Sequence, residues 1–230
     1  MLLTLPIREV LTATPRARIA RLALDGQRFE YMPGQAAALA SHGQEARVPY
    51  SIAASPNDSR RDATLEFLIG VNAEGVAGPH LALEAGQLVD VEGPLGAFTF
   101  PAPPEERRFV FLAGGTGIAP LRAMLPHALI VPHSTLGVFY SARTPDEFAY
   151  GHELRALAKA GRIELRQTVT RAGDERWHGS RGRFTREALA ALVEDPATLC
   201  FVCGPQSFVD DMRTALADLG VDAARIRAEM

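Results

Sequence analysis

Residues 101–108, Pro101-Ala-Pro-Pro-Glu-Glu-Arg-Arg108, hold almost nothing worth burying, and the sequence changes its grammar on either side of them. Proline fixes φ and removes a hydrogen-bond donor, and four consecutive charges resist desolvation, so the stretch reads as a linker. It divides 230 residues into a unit at 1–100 and a unit at 109–230, each close to the usual domain size of about 100–200 residues.

Before the linker the chain reads as short strands with turn punctuation. Ile7–Thr14, Arg18–Leu24, Gln35–Ala40, Pro49–Ala53, Thr64–Gly70 and Gln87–Glu92 are apolar or alternating runs, bounded by Asp25-Gly26, Pro33-Gly34, Pro56-Asn57-Asp58 and Gly93-Pro94. Many short strands at this spacing predict an antiparallel barrel or sandwich. One short helix is expected at His80–Leu83, after Gly78-Pro79.

After the linker, strands alternate with helices. The strands are Phe109–Leu112, Leu136–Tyr140, Ile163–Thr170 and Leu199–Cys203. The helices run to about Leu129, then over Asp146–Ala160, Thr185–Val193 and Gln206–Leu219. That alternation predicts a parallel sheet covered on both faces.

Gly115-Thr116-Gly117 falls where the first of these strands becomes a helix. Glycines there let the backbone turn tightly and approach a pyrophosphate, while free N–H groups and the helix dipole face the anion. Pro120 stands where a third glycine is often found, and a helix's first turn tolerates it. Alone, the pattern is either a dinucleotide turn or an ordinary strand–helix connection. The second strand ends at Tyr140-Ser-Ala-Arg143, with Arg171 at the end of the third. NAD sites offer an acid near this point and NADP sites an arginine, so Arg143 and Arg171 favour NADPH over NADH, unless Arg143 only solvates a strand end. Cys200 and Cys203 are spaced C-x-x-C, too few for a structural zinc site. Cys200 belongs in the core, and Cys203, at the strand's end, is a site candidate.

In order and spacing, Pro49-Tyr-Ser-Ile-Ala53, Gly75-Val-Ala-Gly78, Gly93-Pro-Leu-Gly-Ala-Phe98, Ala113-Gly-Gly-Thr-Gly-Ile-Ala-Pro120 and Cys203-Gly-Pro205 together resemble the ferredoxin–NADP reductase superfamily. The resemblance implies a two-domain fold, an N-terminal antiparallel β-barrel that binds FAD followed by an α/β parallel-sheet domain that binds NAD(P)H. It implies that Tyr50 packs on the flavin ring and that Ser51 offers its hydroxyl to flavin N5. Arg47, Val48 and Pro49 complete that flavin strand. Gly75, Val76, Ala77 and Gly78 lie at the flavin pyrophosphate. Gly115, Thr116, Gly117 and Pro120 take the nucleotide pyrophosphate, and Cys203, Gly204 and Pro205 line the nicotinamide. The implied activity is reduction of FAD by NAD(P)H, with electrons then passed to a separate ferredoxin, flavodoxin or oxygenase component. The alternatives are a flavin reductase that uses free flavin as substrate, a non-catalytic electron-transfer subunit, or one part of a longer arrangement.

Three positions depart from the family pattern. Its R-x-Y-S motif has Val48 for the arginine, with Arg47 one residue further back. Its G-x-x-S/T motif ends in Gly78, without a hydroxyl. Both changes fall on the pyrophosphate and predict looser FAD binding. The last residues are Glu229-Met230 rather than an acidic residue followed by an aromatic lid. Glu229 is either an acid beside the ring or part of a frayed end.

Bulk properties narrow the rest. The net charge is −3 with scattered arginines, which does not point to nucleic acid. No apolar run approaches the ~20 residues that span a bilayer, and MLLTLPIREV lacks the basic start of a secretory signal. Two cysteines give neither a disulfide framework nor a four-cysteine cluster, so a cytoplasmic setting is expected. His80, His127 and His152 show no metal-ligand spacing, and no metal is expected. Trp177 and His178 lie in the loop Ala172–Arg183, either a cover for the dinucleotide or a surface turn.

Overall fold

The computed structural model describes residues 1–171 and 177–230; residues 172–176, which begin the Ala172–Arg183 loop, lie outside the described residues. Six strands build the N-terminal unit: β1 (Leu2–Thr14), β2 (Ala17–Ala23), β3 (Ala36–Ser41), β4 (Val48–Ser51), β5 (Thr64–Gly70) and β6 (Leu88–Leu95). They pair antiparallel in the order β4-β3-β6-β1-β2-β5. A bridge between Ile52 and Phe67 joins the end of β4 to β5 and closes the sheet into a barrel. Alternation fills the interior with Leu5, Leu22, Leu39, Ile52, Phe67 and Val91, all essentially inaccessible.

The expected helix at 80–83 does not form. Its backbone is taken by β3: the Ser41 N–H donates to the His80 carbonyl at 2.8 Å, and Ser41 Oγ accepts from the Ala82 N–H at 2.9 Å. The barrel's helix is instead α1 (Pro56–Asp62), in a stretch the sequence presented as a turn. Ser55 caps it by accepting from the Asp58 N–H, and Pro56 sits at its start, a combination that favours helix initiation.

The C-terminal unit comprises β7 (Arg108–Gly114), α2 (Ile118–Ala128), β8 (Thr135–Ala142), α3 (Gly151–Lys159), β9 (Glu164–Val169), β10 (Ser180–Arg181), α4 (Arg186–Ala190), β11 (Leu199–Cys203), α5 (Gln206–Asp218) and β12 (Ile226–Glu229). These strands are parallel, in the order β10-β9-β8-β7-β11-β12. Helix α3 starts later than expected, because Pro145–Glu147 forms a separate turn and Tyr150 breaks the run with φ +56°. β12 carries Ile-Arg-Ala-Glu, too short and mixed to announce a strand.

Period-two alternation splits the sheet's two faces. Phe109, Phe111, Ala113, Phe201 and Cys203 point toward α2 and the barrel; Val110, Leu112, Cys200 and Val202 point toward α4 and α5. The two cysteines therefore sit on opposite faces, both buried and free. Phe98 and Phe100, just after the barrel, stack into the first face against Phe109, Phe111 and Phe201, so one core crosses the domain boundary. Among the described residues no helix is long and apolar enough to cross a membrane.

Candidate functional site: a cleft at the sheet's switch point

Chain order reverses between β7 and β11, and open α/β sheets bind ligands at that point, beyond the carboxyl ends of the strands. The two loops leaving those strands touch. A Cβ placed on Gly117 would lie 2.2 Å from the carbonyl oxygen of Cys203, so only glycine lets the backbones meet. Beside it, Gly115 adopts φ +57°, and a Cβ placed there would meet nothing within 4 Å, so its outer face is open. The buried Tyr140 hydroxyl donates to the Gly115 carbonyl at 3.0 Å, which pins the turn. Gly115, Thr116 and Gly117 lead into α2, where the first N–H groups of a helix lack internal partners. Pro120 sits in that first turn, where its missing N–H costs nothing.

These loops form one wall of a cleft of about 1080 Å³ between the domains, large enough for more than one drug-sized ligand. Gly115, Thr116, Ser141, Arg143, Arg171 and Pro205 line the α/β side, and Val76, Ala77 and Gly78 line the barrel side. The loop carrying those last three is shaped by Asn72, whose side chain accepts from the Val76 N–H at 2.8 Å and whose carbonyl accepts from Gly75 at 3.1 Å. Arg143 and Arg171 are exposed. Arg183 also lines the cleft and pairs with Asp211 at 3.1 Å; sequence reasoning misses it, because nothing local places the end of the 172–183 loop over α5.

Ser51, Cys203 and Glu229 do not line this cleft but converge on one another behind the Gly117–Cys203 contact. Glu229 faces Cys203 across the β11–β12 ladder, and its Oε1 lies 3.5 Å from where a Cβ on Gly96 would be. Burial pushes the Glu229 carboxyl above its ordinary pKa, and the Ser51 hydroxyl partly offsets this. Its Oε2 is buried with no partner among the described residues. Burial, reinforced by the charge of Glu229, pushes the Cys203 thiol up to about 12. Cys203 is therefore neutral near pH 7, a small polarisable wall rather than a nucleophile.

Tyr50 is half-buried. Its hydroxyl meets His80 Nε2 at 2.9 Å and the two rings stack, with centroids 6.0 Å apart. Val48 and Pro49 are exposed on β4, which lies at the end of the hydrogen-bonded strand order. Arg47 faces carboxylates across β3, Glu92 at 3.5 Å and Asp90 at 3.9 Å, while its Nε is buried with no hydrogen-bond partner among the described residues. Ala38, the residue of β3 that pairs with both Pro49 and Glu92, is small enough to leave that path open.

The donor set fits a flavin and a dinucleotide. It offers a glycine turn with an open face at a helix start, arginines at the adjacent strand ends, and a buried orphan carboxylate oxygen beside a serine. These features define a two-domain oxidoreductase with a flavin barrel and a nucleotide-binding sheet. Residues 4–100 match the oxidoreductase FAD-binding domain and residues 111–214 the oxidoreductase NAD-binding domain. The chain is 35% identical over 224 residues to ferredoxin–NADP reductase B of Sorangium cellulosum, covering 89% of this chain and 87% of that one. It is 25% identical to the anthranilate 1,2-dioxygenase electron transfer component of Acinetobacter baylyi, covering 88% of this chain but only 59% of the relative. In structure it is similar to the cytochrome P450 reductase of Amycolatopsis, with a TM-score of 0.83 and 26% identity, covering 99% of this chain and 69% of that one. The chain belongs to the ferredoxin–NADP reductase superfamily. It is an NAD(P)H-dependent FAD oxidoreductase that transfers electrons.

Proposed function

We propose that this chain is a reductase component that accepts reducing equivalents from NADPH and delivers electrons to a separate protein, an iron–sulfur protein, flavodoxin or oxygenase. The observation that carries this reading is the convergence of Ser51, Glu229 and Cys203 beside the Gly115–Gly117 turn. Bound FAD supplies the capacity to take two electrons together and release them singly. The protein's own work is placement and electrostatics.

In this reading, Gly115, Thr116 and Gly117 bind the nucleotide pyrophosphate through backbone N–H groups. Arg143 and Arg171 meet the 2′-phosphate, which favours NADPH. Gly75 to Gly78 bind the flavin pyrophosphate, and Tyr50 supports the ring. The Ser51 hydroxyl and the Glu229 carboxyl hold a proton at the ring's edge. Glu229 suits that role because burial keeps it protonated to higher pH than an ordinary carboxylate. Cys203, Gly204 and Pro205 form a dry, uncharged wall for the nicotinamide.

The same geometry supports weak FAD retention, since the Arg47 guanidinium faces Glu92 and Asp90. That favours, as a second reading, a flavin reductase that treats flavin as substrate. Anaerobic stopped-flow mixing with NADPH or NADH, reading the visible flavin band, separates these outcomes. Rapid bleaching of protein-bound flavin, followed by reoxidation on adding an iron–sulfur protein, supports the reductase component. Saturable dependence on added FMN or riboflavin supports the second reading. Failure of both nucleotides to bleach bound or added flavin overturns both readings.

A further inference from the structure

The domains are joined by more than stacked phenylalanines. Glu66 on β5 is only 4% exposed, and its carboxylate accepts from both domains. Oε2 takes Arg21 Nε from the neighbouring β2 at 2.6 Å. Oε1 takes Arg122 Nη1 from α2 at 2.8 Å and the Tyr150 hydroxyl from the start of α3 at 3.0 Å. Arg122 Nη1 also donates to the Ala53 carbonyl at 2.9 Å, and its Nε binds Glu153 at 2.9 Å. The guanidinium lies 4.3 Å from the centroid of the Tyr150 ring. Donating in several fixed directions while stacking on an aromatic face is what a planar guanidinium does and an ammonium does not. Tyr150 itself is held at φ +56°, a conformation rare for an aromatic residue.

The position of this node gives it leverage. Ala53 lies two residues beyond Ser51, about 7 Å along extended chain. Arg122 lies five residues beyond Gly117, about 7.5 Å along a helix. The Arg122–Ala53 bond thus connects the two segments that must face each other, through two short and stiff arms.

We propose that Arg122, anchored on Glu66 and Tyr150, is a positioning residue that fixes the dinucleotide turn at its working distance from Ser51. This rests on the functional reading above. Lost register at the 1 Å scale can cost about 10²-fold in rate, while the nucleotide contacts themselves are untouched.

The test uses the full chain and two kinds of readout. In the protein without cofactors, spin labels on Arg28→Cys and Asp218→Cys report the distance between domains; the native cysteines are both buried. The intact node gives a narrow distance distribution, and Arg122→Met broadens it. In the FAD-loaded protein, Arg122→Met slows the limiting rate of flavin reduction about tenfold or more, with the nucleotide Kd changed by less than about threefold. Arg122→Lys restores thermal stability but not that rate. An unchanged distance distribution or an unchanged limiting rate in Arg122→Met overturns the proposal. Should Arg122→Met fail to fold, Tyr150→Phe removes a single oxygen and must still broaden the distribution and slow reduction; no change in either overturns the proposal too. If wild type itself is not bleached by nucleotide, the functional reading fails, and the distance measurement alone judges the node.

Discussion

Replacing Gly117 by alanine sets a methyl carbon 2.2 Å from the Cys203 carbonyl oxygen and 2.6 Å from the Gly204 nitrogen. Both neighbours are backbone, so no side chain can rotate away. Ordinary contact begins at 3.4 Å, and the loops after β7 and β11 would have to part by about 1.2 Å. Overpacking of this kind costs typically about 1–3 kcal/mol, and each kcal/mol lowers Tm by about 2–4 °C in a chain of this size. A drop of roughly 2–12 °C is expected. The effect on function is larger if, as proposed, the displaced loops are the two that hold the nucleotide, since a misplacement near 1 Å can cost about 10²-fold. Gly115→Ala is the control for stability. Its methyl meets nothing within 4 Å, yet φ is +57°, so its melt reports left-handed strain of about 1–2 kcal/mol, while its rate falls as well because the methyl enters the face proposed for the pyrophosphate. Paired melts, with limiting rates of flavin reduction, compare the two. Wild-type rates in Gly117→Ala, or a melt of Gly117→Ala no lower than that of Gly115→Ala, refute the idea that these loops jointly form the nucleotide site.

If Arg143 and Arg171 meet the 2′-phosphate as proposed, removing either guanidinium deletes a charge-assisted hydrogen bond worth about 1.5–3 kcal/mol. Steady-state kinetics should show KM for NADPH rising roughly ten- to hundredfold while KM for NADH barely moves; equal effects on both nucleotides count against the 2′-phosphate assignment. Val48→Arg restores the arginine of the flavin motif at an exposed position, and should slow FAD loss on gel filtration. Unchanged retention argues that the pyrophosphate does not pass Val48. Because the folded pKa of Glu229 is raised, its contribution to stability is complete below the ordinary carboxylate range and is lost as pH rises through the raised value. Wild type should therefore lose stability relative to Glu229→Gln over that rise, and parallel Tm curves would show Glu229 to be unperturbed.

Much of the fold is legible in the sequence because burial writes a period into it. Phe109–Leu112 and Leu199–Cys203 are continuous apolar runs, as strands covered on both faces must be. The 80–83 segment misleads because Gly78-Pro79 resembles a helix start, whereas the tertiary partner Ser41 claims its backbone. α1 is hidden in Ser55-Pro56-Asn57-Asp58, whose capping and turn chemistry use the same residues. Within the site, the glycine turn can be read locally because its chemistry is backbone chemistry. The Glu66–Arg122–Tyr150 node cannot, since its members are separated by 56 and 84 residues from Glu66, and nothing local distinguishes a buried arginine from a surface one. Arg47 is ambiguous for a similar reason: its carboxylate partners lie two strands away, across β3.

If the glycine turn and the Ser51 strand bring a nicotinamide against a flavin, hydride must pass directly between the two rings. Single-turnover reduction of the FAD-loaded protein, using nucleotide deuterated at the transferable position of C4, tests this most directly. A bleaching rate that falls on deuteration, with both nucleotides bound in one ternary site, is the predicted result; bleaching that is absent, or that needs flavin free in solution, contradicts it.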